Sequence, residues 1–294
     1  MVIVRIWEGL GNQLFQYAFA RALQIRTGKK VALDISGIYK QILEGDITKR
    51  RYTLKNFCIK LPIARNVEKN YFFLEQKNLL QKILFQLSKN KLWTYVFYKE
   101  QDILYKPYLK AINRNCYLMG WFQNDRYFKE YRSILLKELK LKKPIKVSDR
   151  LREVLKNEET ISVHIRRGDF IKYNNTLPAS YYRKAKMYME QYVNNPFYLI
   201  FSDDTEWVKK VLNFGEHAIF VKDEGLQDFE ELMIMSYCKH NIIANSTFSW
   251  WGAWLNQNEN KKVIGPKQWY KKVWFHTTEE YSDCNIMPIE WKRI

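Results

Sequence analysis

The second half of the chain alternates short apolar runs with helical segments, and this alternation constrains the fold more than any other feature. The apolar runs are rich in β-branched and aromatic residues and predict strands at 161–165, 197–201, 218–221, 241–244 and 263–265. The segments between them have apolar residues at helical spacing and predict helices at about 180–193, 205–213, 228–237 and 249–256. Repeated β/α alternation predicts a parallel sheet with helices on both faces.

The start of the chain predicts a βαβ unit. Residues 2–6 read as a buried strand, a glycine-rich turn follows at 8–13, and 14–25 carries the apolar stripe of a helix. Gly28 suits the end of that helix, and 31–33 predicts the next strand. The glycines would let a ligand or the other domain approach the backbone, but a tight turn without a ligand explains the spacing equally well.

The middle of the chain is less regular. Residues 36–60 are basic and predict a solvated loop. The aromatic and lysine-rich segment 66–110 contains an amphipathic helix near 79–87, for which core packing is the default and a membrane surface or lipid-linked substrate the minority interpretation. A strand is expected at 117–122, and 136–146 suits an interdomain linker.

Charge and composition limit the partners and the location. Lys+Arg 49 against Asp+Glu 31 gives a formal net charge of +18, which suits nucleic acid, an acidic membrane surface or a phosphorylated substrate without choosing among them. The four cysteines are widely spaced, which favours a reducing compartment. No run resembles a signal peptide or a membrane span, so we expect a cytoplasmic protein, with peripheral contact at the inner face of an anionic membrane as a further option.

Polar clusters follow four of the predicted strands directly. They are residues 166–169, 202–204, 222–223 and 245–249. In open α/β sheets, ligands bind outside the carboxyl ends of the strands, near the point where the strand order reverses. The clusters therefore predict a single site at that edge of the sheet.

The residue types in these clusters suit a diphosphate. Arg166 and Arg167 carry planar guanidinium groups that bind phosphate in a bidentate way, and Asp169 supplies a neighbouring carboxylate. Two solvated arginines at a strand end are the simpler alternative. Asp203 and Asp204 are candidates to hold a ribose or a base, or to cap the next helix. A metal is not expected, because no third oxygen ligand stands at a suitable spacing from this pair.

The fourth cluster precedes a predicted helix, where hydroxyl groups and free backbone N–H groups can hold a phosphate. Its polar members are Asn245, Ser246, Thr247 and Ser249. Capping of the helix alone would explain the same residues.

Four motifs that occur in order resemble the bacterial α-1,2-fucosyltransferases of glycosyltransferase family 11. They are GLGNQLFQYA at 9–18, HIRRGD at 164–169, FSDD at 201–204 and NSTFSWWGAWL at 245–255. The resemblance implies an α/β fold of GT-B type, with two Rossmann-like domains facing across a cleft. Residues 1–147 would form the acceptor-side domain and 148–294 the GDP-sugar-binding domain, and the last helix is a candidate to pack back on the first domain.

The resemblance also implies an activity, that of a galactoside 2-α-L-fucosyltransferase. L-fucose would move with inversion from GDP-β-L-fucose to O2 of a terminal galactose, on an oligosaccharide or a lipid-linked glycan, without a metal or other cofactor. One alternative is another GDP-sugar or another acceptor. The other is a basic nucleic-acid-binding module, which is disfavoured because the polar clusters follow strand ends and do not form one basic stripe.

Site residues follow from the same resemblance. Arg166 would contact the β-phosphate and stabilise the leaving GDP, and Asn12, from the first domain, would reach donor or acceptor. The implied GDP-fucose-binding residues are His164 and Glu231 near the guanine or ribose, Asn245, Ser246, Thr247 and Ser249 at the diphosphate, and further Arg166, Arg167, Gly11, Asp203 and Asp204.

Two positions depart from the family pattern. Glu8 stands where the family usually has glycine, and Glu231 where it often has aspartate. Inverting transfer calls for a base near the acceptor hydroxyl, and Asp169 is the first candidate and Glu8 the second. A transition state that is strongly oxocarbenium-like would need no strong base.

Overall fold

A computed structural model describes residues 1–38, 50–65, 95–99, 105–112, 115–269 and 286–294. The chain divides into two compact units, residues 1–142 and 143–294. The sequence placed this boundary slightly later, at 147/148. The predicted amphipathic helix near 79–87 lies outside the described residues, as does most of the 66–110 segment.

The first unit contains a parallel sheet in the order β2-β1-β4-β3. Its strands are β1 (Val2–Arg5), β2 (Val31–Asp34), β3 (Tyr95–Lys99) and β4 (Asn115–Met119). The predicted strand at 117–122 is therefore β4, shifted towards the N-terminus. Because β1 is followed by β2 on one side and pairs with β4 on the other, the strand order reverses between β1 and β4.

Helix α1 (Leu10–Thr27) follows β1 and is longer than the sequence predicted. It is buried over most of its first four turns, and the ring of Phe19 stacks on that of Phe122 with centroids 3.9 Å apart. It ends at Gly28, which has φ 67, as expected for a glycine in the left-handed region after a helix. The predicted βαβ unit at the start of the chain is confirmed.

Helix α2 (Arg132–Glu138) corrects part of the sequence interpretation. The Lys/Leu-rich segment 136–146 was predicted to be a linker, but its first residues continue this helix. Glu138 is buried, and its carboxylate accepts hydrogen bonds from Tyr17 (2.5 Å) and forms an ion pair with Arg21 (2.7 Å), so this end of α2 is fixed against α1.

The second unit contains a parallel sheet in the order β10-β9-β8-β5-β6-β7. Its strands are β5 (Thr160–Ile165), β6 (Phe197–Ser202), β7 (Ala218–Phe220), β8 (His240–Ile242), β9 (Val263–Gly265) and β10 (Lys292–Arg293). This is the strand order of a Rossmann fold, and the order reverses between β5 and β8. The five predicted strands are confirmed. The two-residue β10 was missed. Residues 270–285 lie outside the described residues, so the last helix that the resemblance implies stays a prediction.

One helix of the second unit precedes β5, and the others lie between successive strands of the chain. They are α3 (Asp149–Asn157), α4 (Gly168–Lys172), α5 (Ala179–Glu190), α6 (Thr205–Val211), α7 (Asp228–Tyr237) and α8 (Thr247–Leu255). Trp250 and Trp251 of α8 are fully buried and Trp254 nearly so, which confirms them as core residues. A Cβ at Gly252 would lie 2.7 Å from the Cβ of Met235, so α7 and α8 pack too closely for a larger residue there.

None of the helices that the structure describes is both long and apolar enough to span a membrane.

Candidate active site

The strand order of the second unit brings together the loops that follow β5 and β8. His164 lies near the end of β5, is 7% exposed, and its ring is 5.6 Å from that of Phe248 on α8. Burial, followed by the charge of Arg166, lowers the pKa of His164 to about 3, and Asp203 opposes this shift. The imidazole is therefore neutral at neutral pH. Its Nδ1 is buried without a hydrogen-bond partner among the described residues.

Arg166 is held by two carboxylates. Its Nη2 lies 2.6 Å from Oδ1 of Asp169, its Nη1 lies 2.7 Å from Oδ2 of Asp203, and its guanidinium is 5.6 Å from the ring centroid of Phe170. The side chain remains 26% exposed. These contacts fix the orientation of a guanidinium that an anion can still reach.

Arg167 turns towards α6 instead. Its Nε lies 2.9 Å from Oδ2 of Asp204, and its guanidinium lies 3.9 Å from the ring centroid of Trp207. Asp204 also caps α6, because its Oδ1 accepts a hydrogen bond from the backbone N–H of Trp207 (3.1 Å). The hydrogen bond from Arg167 lowers the pKa of Asp204. The alternative in which an aspartate caps the next helix is thus confirmed for Asp204.

Asp203 ties the loop after β5 to the end of β6. Its Oδ1 accepts from the backbone N–H of Arg167 (2.9 Å), while its Oδ2 holds Arg166. A Cβ at Gly168 would lie 2.7 Å from that Oδ2, so the glycine of the HIRRGD motif is required for this close approach. Both oxygens of Asp203 therefore serve to position the two arginines.

The residues at the start of α8 are engaged in local hydrogen bonds. Ser246 is the N-cap residue, and its Oγ accepts weakly from the N–H of Phe248 (3.4 Å). The buried Ser249 donates to the carbonyl of Ser246 (3.4 Å), and Thr247 is the half-buried first residue of the helix. Capping therefore accounts for Ser246, and its phosphate role, like that of Thr247 and Ser249, stays a prediction.

The side-chain amide of Asn245 does not suit the predicted role at the diphosphate. Its Nδ2 donates to the backbone carbonyls of Asn175 (2.9 Å) and Trp269 (3.1 Å), and the residue is 3% exposed. In the side chain only Oδ1 remains, and an oxygen acceptor repels an anion. The side-chain amide of Asn245 therefore connects two loops, and a diphosphate role of this residue through its backbone N–H group stays a prediction.

Glu231 lies on α7, outside the hydrogen-bonded cluster around Arg166. Burial, followed by the charge of Asp228, raises its pKa to about 7, and Lys222 opposes this shift. Its carboxyl group is therefore divided between two protonation states near neutral pH. Lys222 and Asp223, the cluster after β7, are exposed.

The first unit has its own polar cluster where its strand order reverses. The carboxylate of Glu8, after β1, accepts hydrogen bonds from Nε1 of Trp121 (3.0 Å) and from Nδ2 of Asn12. Oδ1 of Asn12 accepts in turn from Nε2 of Gln123 (2.7 Å). The ring of Trp7 stacks on that of Trp121, with ring centroids 5.8 Å apart. Sequence reasoning missed Trp121 and Gln123, although their position directly after β4 was a usable signal.

The backbone of Glu8 explains the departure from the family pattern. Its φ is 64, in the left-handed region that a glycine adopts freely and other residues adopt at a cost of about 1–2 kcal/mol. The glycine usual at this position therefore reflects the backbone geometry, and the glutamate keeps that geometry with its carboxylate bonded to Trp121 and Asn12. Gly11, the other predicted residue of this turn, is buried in the first turn of α1.

Among the described residues, no group of three or more His, Cys, Asp or Glu side chains is arranged to hold a metal ion.

The two Rossmann-like units define the class of protein, and comparisons with known proteins define the family. The fold is of GT-B type, and a solved structure of an Arabidopsis thaliana FUT1 mutant in complex with GDP matches it with a TM-score of 0.50 and 11% identity, covering 89% of this chain and 69% of that one. At this identity the likeness concerns the fold alone.

The model of glycosyl transferase family 11 matches residues 1–292, and the chain belongs to this family. The O-antigen biosynthesis glycosyltransferase WbnK of Escherichia coli is 33% identical over 286 residues, which cover 89% of this chain and 92% of WbnK. An Escherichia coli protein named α-1,2-colitosyltransferase is 29% identical over 313 aligned positions, which cover 100% of this chain and 99% of that protein. The resemblance inferred from the four motifs is confirmed, and the chain is a glycosyltransferase.

Proposed function

We propose that this glycosyltransferase moves L-fucose from GDP-β-L-fucose to O2 of a terminal galactose, with inversion and formation of an α-1,2 linkage. The observation that carries the proposal is the position of Arg166. It lies where the sheet order of the second unit reverses, is held by Asp169 and Asp203, and stays partly exposed. A preoriented guanidinium at the carboxyl edge of a Rossmann sheet suits a diphosphate leaving group.

The chemistry requires a charge to be stabilised as one bond breaks and another forms. The bond between the anomeric carbon and the β-phosphate oxygen breaks, and its electron pair stays on GDP. The acceptor hydroxyl oxygen attacks the opposite face of the sugar and loses its proton. Arg166 would donate hydrogen bonds to the departing phosphate, and since two carboxylates already orient it, little reorganisation is needed in the transition state. In this proposal no metal or other cofactor takes part.

The proton has two candidate acceptors. Asp169 is the first, although its carboxylate also holds Arg166 at 2.6 Å. Glu8 is the second, and its carboxylate is bonded to Trp121 and Asn12 within the first unit.

Comparing Asp169→Asn with Glu8→Gln tests which of the two carboxylates acts as the general base. Loss of a general base lowers kcat by about 10²–10⁴-fold, and the proposal expects that loss in Asp169→Asn. Calorimetric GDP titration of both variants separates a lost base from a displaced Arg166, because only displacement weakens GDP. A larger fall in kcat for Glu8→Gln would reverse the order.

A second candidate donor follows from the relatives. A protein that aligns over the whole of this chain at 29% identity is named an α-1,2-colitosyltransferase, so a colitosyl donor is the specific alternative to GDP-fucose. Both interpretations share the α-1,2 linkage and differ in the hydroxyl groups of the transferred sugar.

The proposal extends to the acceptor and the location. We expect a galactose-terminated oligosaccharide or lipid-linked glycan, acted on in the cytoplasm or at the inner membrane face. The formal net charge of +18 supports contact with an anionic surface. The same charge would suit nucleic acid, but membership of the family supports a glycan substrate instead.

The direct test is transfer with defined substrates. Purified protein is incubated with lactose as the acceptor and with one donor at a time. The donors are GDP-fucose, GDP-mannose and a GDP-linked colitosyl donor, and each reaction is run with and without excess chelator. NMR of the product gives the linkage and the anomeric configuration. The proposal expects 2′-fucosyllactose with an α linkage, at the same rate with chelator. Transfer from the colitosyl donor alone, or another linkage, would contradict it, and loss of activity with chelator would contradict the metal-free mechanism.

A further inference from the structure

Two tryptophans lie at the point where the strand order of the first unit's sheet reverses, between β1 and β4. Trp7 stands two residues after the end of β1, and Trp121 stands two residues after the end of β4. In parallel sheets, ligands bind outside the carboxyl ends of the strands at such a reversal. Each of the two loops therefore supplies one indole ring to a position that suits a ligand.

The exposed surface of the two indole rings is apolar. Nε1 of Trp7 donates to the carbonyl of Gly120 (3.4 Å), and Nε1 of Trp121 donates to the carboxylate of Glu8 (3.0 Å). Both tryptophans are only half-buried, and since their N–H groups are used within the protein, each ring exposes carbon. The ring centroids are 5.8 Å apart, whereas carbon atoms in contact are about 3.5–4.0 Å apart, so each ring covers only part of the other.

A fixed carboxylate lies beside these rings. The carboxylate of Glu8 accepts from Trp121 and from Nδ2 of Asn12, and Oδ1 of Asn12 accepts in turn from Nε2 of Gln123 (2.7 Å). A carboxylate offers about four acceptor positions, so these two bonds orient Glu8 and leave it able to accept from a ligand. The polar groups next to the indoles are thus held in place before any ligand binds.

The backbone of both loops is strained next to the tryptophans. Glu8 follows Trp7 and has φ 64, and Phe122 follows Trp121 and has φ 52. The other non-glycine residues with positive φ in the described part of the chain are asparagines, which adopt this region far more readily than glutamate or phenylalanine do. Strained backbone concentrates at ligand sites, where the surrounding contacts maintain it.

An apolar ring surface beside a carboxylate selects the chemistry of the ligand. The C–H groups on one face of a pyranose pack on the electronegative face of an aromatic ring, and the hydroxyl groups of the sugar donate to a carboxylate. A phosphate would be repelled by Glu8. A divalent cation would find in this cluster one carboxylate that already holds Trp121 and Asn12.

We propose that Trp7 and Trp121 bind the terminal galactose of the acceptor, with Glu8 accepting a hydrogen bond from one of its hydroxyl groups. The proposal deepens the proposed function and rests on it for the identity of this sugar. In galactose the axial O4 leaves the C–H groups at C3, C4 and C5 on the opposite face, which is therefore continuously apolar. In glucose the equatorial O4 moves the hydrogen at C4 away from that face. The two indole rings thus determine the specificity for galactose.

Saturation-transfer NMR measures sugar binding without turnover. The probes are methyl β-D-galactoside and methyl β-D-glucoside, added separately to the full chain in the presence of excess GDP. Trp7→Leu and Trp121→Leu each remove one ring, and Glu8→Gly removes the carboxylate with a residue that suits the positive φ. Tyr192→Leu, at an exposed aromatic residue of the second unit, is the matched control.

The proposal expects a galactoside signal with wild type and with Tyr192→Leu, and a much weaker glucoside signal. The galactoside signal should fall by about tenfold or more in Trp7→Leu, Trp121→Leu and Glu8→Gly, because a few aromatic and polar contacts carry most of the affinity of a site. The Kd for GDP, measured by calorimetry, should stay within about twofold, which also shows that the variants are folded.

Three results would overturn the proposal. They are no galactoside signal with wild type, equal signals for the two sugars, and galactoside signals in the three site variants that either match wild type or fall together with GDP binding. A lack of GDP binding or of fucosyl transfer by wild type, with the expected pattern of galactoside binding intact, would count against the proposed function and leave the galactose site standing.

Discussion

At the scale of single residues, neighbouring positions of one motif have different roles. Arg166 is held by Asp169 and Asp203 and stays partly exposed, whereas Arg167 lies on Trp207 and binds Asp204. Residue chemistry alone could not separate the two arginines, because both carry the same guanidinium group, and only the family resemblance assigned the β-phosphate to Arg166. The separation depends on the direction in which each side chain leaves the loop after β5.

Glu231 gives a pH-dependent prediction for stability. Its pKa is raised to about 7, so the folded state binds more protons than the unfolded state between about pH 4.5 and 7. The free energy of unfolding should therefore fall as the pH rises through this window. Glu231→Gln removes the ionised form and should stabilise the protein by about 2 kcal/mol at pH 8 and by little at pH 5, allowing for partial exposure.

Thermal unfolding of wild type and Glu231→Gln at the two pH values checks this prediction. Glu206→Gln, at an exposed acid on α6, is the matched control and should show no such pH dependence. If Glu231→Gln changes stability equally at pH 5 and pH 8, the pKa of Glu231 is not raised.

At the scale of elements, Arg167 connects the loop after β5 to α6. Arg167→Ala removes an ion pair and a cation–π contact with Trp207, and should lower the free energy of unfolding by about 1–2 kcal/mol. Because Arg167 makes its contacts within the protein, kcat should fall much less than in Arg166→Ala.

Thermal unfolding and steady-state kinetics of the same samples distinguish the two roles. Lys209→Ala on α6 is the control, because its ion pair with Glu206 is highly exposed and worth little. An unchanged melting temperature together with a loss of kcat as large as that of Arg166→Ala would mean that Arg167 contacts the substrate.

Elements with a strong apolar pattern were predictable, and elements fixed by a few polar contacts were not. Strands β5, β6 and β9 followed from their apolar runs, because they are buried on both faces. The five-residue α4 was missed because it has no buried residue, and β10 because a two-residue strand carries no pattern.

The position of the candidate site was also predictable from the sequence, whereas its individual contacts were not. The sequence placed the arginine and aspartate clusters at neighbouring strand ends, and the contacts of Arg166 with Asp203 confirm that they meet. The two backbone carbonyls that the side-chain amide of Asn245 binds could not be inferred from the sequence, because they come from separate loops.

At the scale of the whole molecule, the positive charge gives a prediction about binding to membranes. At a formal +18, the chain should sediment with vesicles that contain phosphatidylglycerol at low salt and be released at about 0.5 M salt, where screening shortens the range of the attraction. Vesicles of phosphatidylcholine alone are the control and should bind little.

Vesicle sedimentation with quantified supernatant and pellet measures this association. Absence of binding to anionic vesicles at low salt would contradict peripheral attachment, and binding that salt leaves unchanged would show that charge is not its cause.

The position of Arg166 at the phosphate of a GDP-sugar is tested most directly by fucosyl transfer to lactose in Arg166→Ala. Arg183→Ala is the matched control, since Arg183 is exposed and donates only to the carbonyl of Val211 among the described contacts. Loss of a preorganised donor to a developing charge lowers kcat by about 10²–10³-fold, and we expect at least this loss in Arg166→Ala, with wild-type turnover in Arg183→Ala. Because Arg166→Ala also removes two ion pairs, its melting temperature should fall, and kcat is compared at a temperature at which both variants are folded. Near wild-type turnover in a folded Arg166→Ala would contradict the phosphate role of Arg166.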